Sequence, residues 1–458
     1  MVATDTGNSE IKMYLSWLYG EARVSFCHAA KTVRLPSKNI NNGSADGQTK
    51  GSEKSLLDIC KQTTPPCRLN PFLFNGHLQT CWTAVQKPDI PIHYKRKVFT
   101  STHQTYQGIF AVDFVVPTPP VAQPDDPELP ERTHFYTDEE FSSLGGDDEK
   151  PMVIVLHGLS GGSYESYLRH VLKLLVKDFE WEACVVNSRG CARSKITSSV
   201  LYNARATWDI RQTVEWVRKK WPRRRLFGIG FSLGANILVN YLGEEGAACK
   251  LDAAVVVCNP WNLETCNLAL QRSWIGLKLY STIMGSNMKA LFERHIDQLS
   301  KNQNIDIDKV RKSRYLYEFD RYVQCPSWGY PTEYAYYRDA SSVDSVLAVR
   351  IPLLAIHAED DPIAVDQAVP REEIKLNSNV VLCSTSLGGH LSWFELGGER
   401  WFARVAAAFL KQMATGVDWA VMSERRTDCA NGDLHEQNDM PSYDPMRRKM
   451  HGASLPGA

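Results

Sequence analysis

Ser232 stands at the centre of Gly230-Phe231-Ser232-Leu233-Gly234. The apolar run Leu226-Phe227-Gly228-Ile229 precedes it, and Ala235-Asn236-Ile237-Leu238-Val239-Asn240-Tyr241 follows. That reads as a strand, a tight turn and a helix, with a serine at the apex. The two glycines have steric work. The turn is too sharp for side chains beside the serine, and strand and helix must approach closely. The five-residue pattern is a weak signal in a chain of this length; the flanking strand and helix give it weight. The chemistry it fits is acyl transfer through a serine ester.

A serine hydroxyl is a poor nucleophile without a base to take its proton and a carboxylate to orient that base. With this elbow the chain order is Ser, acid, His. Three histidines follow before the polar tail. His295 lies in a charged, helix-like run and is expected to be exposed. His357 ends an apolar strand and is expected to pack in the core. His390 sits in Leu387-Gly388-Gly389-His390-Leu391-Ser392-Trp393, a glycine-flanked loop after the short strand Val380-Val381-Leu382-Cys383. It is the expected base. The acid should follow the penultimate strand, in His357-Ala358-Glu359-Asp360-Asp361-Pro362. Three adjacent carboxylates leave the choice open. Asp361, just before the proline that opens a turn, is preferred, and Asp360 comes next. After the fourth strand stands Asn259, which cannot hold an imidazolium with full charge. The oxyanion needs two backbone N–H groups. Leu233, after the nucleophile, supplies one. Leu159 is expected to supply the other, from the loop His157-Gly158-Leu159-Ser160-Gly161-Gly162-Ser163. His157 precedes the required order and reads as a loop-shaping residue.

The elements that must position these residues are legible as alternation. Strands are expected at 152–156, 183–186, in the run before Ser232, at 253–258, 353–356 and 380–383, almost all Val, Ile, Leu and Ala. Helical spacing runs over 164–178 and 205–220. Such alternation predicts an α/β fold with a mostly parallel central sheet covered by helices on both faces. Val98 to Val116 suggests one or two antiparallel strands. Roughly 90 residues separate the strand ending at Cys258 from that at Leu353, too many for one crossover. Residues 261–345 therefore read as a helical lid insertion over the serine, rich in aromatic and apolar side chains.

The 458 residues carry 52 basic and 52 acidic side chains, so no net charge steers the chain to nucleic acid. The basic run Arg218–Arg225 precedes the Ser232 strand, at the edge opposite the site, and reads as a solvated face. Twelve cysteines without C-x-x-C pairs suit a reducing compartment, so an intracellular, cytoplasmic location is expected. No stretch reaches the roughly 20 apolar residues that cross a bilayer. Met13-Tyr14-Leu15-Ser16-Trp17-Leu18-Tyr19 is too short for a signal core; it is expected to pack on its own domain, with a membrane or lipid-droplet surface as the alternative. The expected organisation is an N-terminal extension over 1–65 with a polar linker at 36–66, a catalytic domain over 66–414 with an exposed insertion at 117–150, and a polar, disordered tail over 415–458.

Taken together, these motifs resemble the AB hydrolase 4 family of the α/β-hydrolase superfamily, which includes fungal medium-chain fatty acid ethyl ester synthase/esterases and animal abhydrolase-domain lipases. Four further segments carry the resemblance: Phe74-Asn75-Gly76-His77-Leu78-Gln79-Thr80, the loop Leu156–Ser163, Asn187-Ser188-Arg189-Gly190-Cys191, and Tyr336-Tyr337-Arg338-Asp339-Ala340-Ser341-Ser342. It implies the α/β-hydrolase fold, with Ser232 as nucleophile, Asp361 as acid and His390 as base. It also implies esterase activity on medium-chain acyl esters and acyl transfer to alcohols. The partners expected are an acyl ester or thioester and an alcohol. The scheme requires no cofactor or metal, and no phosphate-cradling loop is visible. Two other readings compete: a thioesterase or acyltransferase of one biosynthetic pathway, and a catalytically silent relative used as a binding protein. The intact Ser, Asp, His order argues against the second.

Overall fold

The computed structural model describes residues 21–38, 52–86, 88–117, 126–422 and 444–446. The aromatic segment Met13–Tyr19, the core of the linker and most of the tail lie outside the described residues.

Ten strands form one sheet: β1 Val24–His28, β2 His93–Thr100, β3 Ile109–Val116, β4 Thr133–Phe135, β5 Met152–Leu156, β6 Glu182–Asn187, β7 Leu226–Phe231, β8 Ala253–Val257, β9 Leu353–Ala358 and β10 Val380–Thr385. Their order is β1-β10-β9-β8-β7-β5-β6-β3-β2-β4. The six central strands, β10 to β6, pair in parallel, whereas β1, β3 and β2 join antiparallel at the two flanks. Period-two alternation sends the side chains of one strand to two cores. Val153 and Val155 join helices α1 Leu56–Thr63, α3 Ser166–Leu172 and α9 Trp401–Gly416 on one face. Met152, Ile154 and Leu156 meet α4 Trp208–Lys220 and α5 Leu233–Glu245 on the other. Both faces are thus dry, which is why the central strands read as unbroken apolar runs.

Between β8 and β9 the chain makes the expected helical insertion, including α6 Leu263–Arg272, α7 Thr282–Arg294 and α8 Glu333–Ala340. Its buried side chains, among them Met288, Phe292 and Phe319, pack on Leu201 and Tyr202 of the loop after β6.

The structure corrects several boundaries. Residues 52–65 are no linker. Glu53–Ser55 pairs with Arg34–Pro36, and α1 buries Leu56, Ile59 and Cys60. The polar composition hides that helical spacing, which begins at the Ser55 cap on the Asp58 N–H. β1 likewise belongs to the central sheet rather than to a separate extension. At the other end α9 runs to Gly416, and Trp419, Met422 and Met446 are buried, so parts of the expected tail are packed. The 117–150 insertion contributes β4 and a short helix, Asp138–Ser142, with a Thr137–Glu140 capping box. The basic run is tied down more than a solvated face would be: Arg224 pairs with Asp148 and Arg225 with Asp252.

Candidate functional site

Parallel strands put their carboxyl ends at one edge, and the loops leaving β5, β7, β9 and β10 meet there. Ser232 leaves β7 with φ 52° and ψ −119°, a left-handed conformation that costs a non-glycine residue on the order of 1–3 kcal/mol. The neighbours explain why glycine stands two residues to either side of it. A methyl group on Gly230 would lie 2.6 Å from the Gly234 carbonyl oxygen, and one on Gly234 would lie 2.4 Å from that of His157. Strand, helix and loop therefore converge on the serine.

Three of the expected residues come into hydrogen-bonding contact. His390 Nε2 lies 2.9 Å from Ser232 Oγ. Its Nδ1 lies 2.8 and 3.1 Å from the two Asp361 carboxylate oxygens. A carboxylate only accepts, so Nδ1 carries the proton and Nε2 is free to accept from the serine. Asp361 is fully buried at the end of β9. Its Oδ1 also accepts from the Ile363 and Ala364 N–H groups. Burial alone would raise its pKa; the charge and hydrogen bond of His390, then His357 and the Ile363 N–H, outweigh it and hold the carboxyl below its usual range.

Asp360 points elsewhere. Its Oδ1 accepts from the Gly389 N–H at 3.0 Å, bracing the loop that carries His390. Burial pushes its pKa up. Asn259 donates to Ser342 Oγ. His357 is buried, as expected of a packing residue, and stands 3.9 Å from Asp366. His295 departs from expectation: it is half-buried and its Nε2 is 3.0 Å from the Gly190 carbonyl oxygen, so it ties the helical insertion to the loop after β6.

The loop 157–163 is pinned beside the serine. A methyl group on Gly158 would lie 3.4 Å from Ser232 Cβ. Tyr167 Oη accepts from the Gly158 N–H and Tyr202 Oη from the Ser160 N–H, while the Gly161 N–H closes a turn onto Gly158. Leu159 is bracketed by those anchors, and its residue lines the same cavity as Ser232 and Leu233. Leu233 opens α5, where an N–H has no intrahelical acceptor. His157 shapes this loop: its Nδ1–H donates to the Gly158 carbonyl and its Nε2 accepts from Ser188 N–H. Burial drives its pKa down to about 4.

Sequence reasoning missed the clamp on His390. Helix α2, Gly76–Val85, lies against the histidine loop. Thr80 Oγ1 accepts from the His390 N–H at 2.9 Å and donates to the Gly76 carbonyl at 2.6 Å. Gln79 Oε1 accepts from the Phe394 N–H, and Thr83 Oγ1 is 2.9 Å from Ser392 Oγ. A methyl group on Gly76 would lie 2.0 Å from the Asp360 carbonyl oxygen, so the helix touches both the Asp360–Asp361 turn and the His390 loop. A second missed network braces the loop 157–163. Asp113, buried in β3, is paired with Arg96 and accepts from Ser163 Oγ and Asn187 Nδ2. Its sequence signal was a lone acid inside Ile109-Phe110-Ala111-Val112-Asp113-Phe114, which must have a partner.

Cys258, Asp361 and His390 offer three potential metal-ligand atoms within 4.8 Å of one another. Each is otherwise engaged. Asp361 and His390 hold each other, and Cys258 Sγ accepts from the Leu391 N–H at 3.2 Å. Burial raises the thiol's pKa far above its ordinary value, so it is a poor ligand.

Comparison with known proteins fits this geometry. The family profile described as alpha/beta hydrolase fold matches residues 151–395. A monoacylglycerol lipase of Saccharomyces cerevisiae is 37% identical over 357 residues, covering 74% of this chain and 79% of the lipase. Medium-chain fatty acid ethyl ester synthase/esterase 2 of the same yeast is 29% identical over 75% of this chain and 84% of its own. The mouse phospholipase ABHD3 is 32% identical over 54% of this chain and 59% of its own. The profile spans more than half the chain and the first of these relatives most of both proteins; this chain therefore belongs to the α/β-hydrolase superfamily and is a hydrolase of its esterase and lipase kind.

Proposed function

We propose that the chain is a serine carboxylic-ester hydrolase that cleaves short- to medium-chain acyl esters through an acyl-enzyme and passes the acyl group to alcohols as well as to water. The observation that carries this reading is the continuous contact Ser232–His390–Asp361 at the wall of an apolar cavity. In the reaction His390 Nε2 takes the Ser232 proton as Oγ attacks the acyl carbonyl. Asp361 holds the imidazole in the required tautomer and stabilises its cation. The Leu159 and Leu233 N–H groups hold the oxyanion. His390 returns the proton to the leaving alcohol, and water or a second alcohol then attacks the acyl-enzyme.

The cavity runs under the lid, with Leu159, Leu263, Leu270, Met284, Met288 and Leu316 on its walls. Each CH₂ buried there contributes about 0.8 kcal/mol. A screen of p-nitrophenyl esters should therefore show kcat/KM rising several-fold per two carbons from acetyl and levelling near about C6–C10, as the family resemblance implies. A flat profile or an acetyl preference speaks against it. With ethanol and an activated medium-chain donor, gas chromatography should find ethyl ester formed at the expense of free acid; free acid alone would remove the acyl-transfer half.

Contact with a lipid surface belongs to the same reading. No helix among the described residues is long and apolar enough to cross a membrane. Yet Phe72, Phe74 and Trp82 on and before α2, and Trp274 and Ile283 on the lid, stand exposed. The His77–Tyr280 contact, 3.0 Å, joins the two segments. Exposed aromatic clusters of this kind suit a lipid interface. Co-flotation with phosphatidylcholine vesicles should be lost on Trp82→Ser with Trp274→Ser.

A further inference from the structure

The cavity beside Ser232 is not apolar throughout. Where the lid meets the loop after β6, four polar side chains line it: Asn203, Asn267, Asp320 and Gln324. Each is more than nine-tenths buried. Their orientations are set by the protein. Asn203 Oδ1 accepts from the Arg205 N–H at 2.8 Å, which leaves its Nδ2 without a partner among the described residues. Gln324 Nε2 donates to the Tyr202 carbonyl at 3.0 Å, which leaves its Oε1 unpartnered. Asn267 Nδ2 is unpartnered as well. Asp320 Oδ2 accepts from Tyr337 Oη at 2.6 Å. Native interiors satisfy nearly all such groups, so donors and an acceptor left open on the wall of a single cavity call for a cause. A hydrocarbon chain supplies none. A hydroxyl supplies what is missing, because it both accepts and donates.

We propose that this wall is a hydroxyl-binding subsite: the portion of the substrate that enters the cavity carries free hydroxyl, which accepts from the Asn203 and Asn267 amides and donates to Gln324 Oε1. The hydroxyl has two sources, the alcohol half of the ester, as in a partial ester of a polyol, or a hydroxylated acyl chain. The inference rests on the ester-hydrolase reading only for the ester bond itself.

The test measures binding rather than turnover. In the Ser232→Ala protein, dissociation constants are compared for propyl octanoate, glyceryl 1-octanoate and propyl 8-hydroxyoctanoate by tryptophan fluorescence. Hydroxyl groups favour water over an apolar cavity, so tighter binding of a hydroxylated ester requires partners in the protein. One hydroxylated ester should bind at least about tenfold more tightly than propyl octanoate, and which one does so identifies the source. The ratio should fall to less than about threefold in Gln324→Met and in Asn267→Leu, each added to Ser232→Ala. Gln324→Met also loses its bond to Tyr202, so circular dichroism must show it folded; Asn267→Leu decides if it is not. Equal constants for the three esters would overturn the subsite, as would a preference that survives both substitutions. Residual cleavage by the Ser232→Ala protein would instead overturn the nucleophile assignment and leave the binding ratio standing.

Discussion

Asp361 and Asp360 are neighbours with different work, and the difference is a single turn of backbone. Asp361 faces His390 Nδ1, whereas Asp360 holds the Gly389 N–H. Asp361→Asn should cost about 10⁴ in kcat, because an amide permits the wrong imidazole tautomer. Asp360→Asn retains an oxygen for Gly389 and should cost about tenfold or less. Steady-state kinetics of both variants checks this; equal small losses would send the search for the acid to Glu359. Ser232→Ala and His390→Ala should each abolish turnover, since the two act as one unit. Ser232→Ala should leave the unfolding midpoint unchanged or raised, because the serine is only partly buried and sits in a strained backbone conformation that a smaller side chain tolerates no worse. More than a few per cent residual activity would place the nucleophile elsewhere. The meeting of these residues was legible because a strand–turn–helix elbow of this kind sets the order Ser, acid, His along the chain. What sequence left open among three adjacent carboxylates is direction, which depends on how the turn after β9 closes.

At the scale of elements, the strands and the helical insertion were legible, and the placement of α2 was not. Its Asn75–Thr80 stretch announced itself only as a shared motif. Helical spacing cannot say that Thr80 would meet a loop 310 residues away. The consequence is measurable. Thr80→Val leaves the His390 N–H buried without an acceptor, at about 1–3 kcal/mol. The imidazole should then sit less well against Ser232. A fall in kcat of about tenfold with KM little changed is expected, and Thr80→Ser should restore most of it. A Thr80→Val enzyme with normal kcat would show that α2 merely packs. The same limit hid β1 and α1. Residues 21–65 look polar overall, and only pairing with β10 and burial under α9 reveal them as part of the core.

For the whole molecule, sensitivity to acid follows from histidines kept neutral. His157 has a folded pKa of about 4 against an unfolded value of about 6.5. The unfolded chain therefore binds the proton first. His157's contribution is complete above about pH 6.5 and is lost as pH falls through about 4, on the order of 3 kcal/mol in all. His170, buried near Arg400, is shifted the same way, to about 4. Urea unfolding at pH 7 and pH 5 should show a marked loss in the parent protein. His157→Gln can still donate to Gly158 and accept from Ser188, and its loss should be smaller. Parallel losses in the two proteins would assign the acid sensitivity to other groups.

β1 pairs with β10, so Cys27 lies opposite Leu382. During synthesis the earliest strand of the sheet emerges with no partner, and its partner follows some 350 residues later. At roughly 5–20 residues per second, that is about 20–70 s of waiting. For all that time Val24-Ser25-Phe26-Cys27-His28 is an open strand edge beside the ribosome, the kind of edge that recruits wrong partners. The sheet can be finished only after translation has passed Thr385, and His390 enters its place in the same closing step. Active enzyme should thus appear only after the last strand has left the ribosome, however early the elbow around Ser232 has formed.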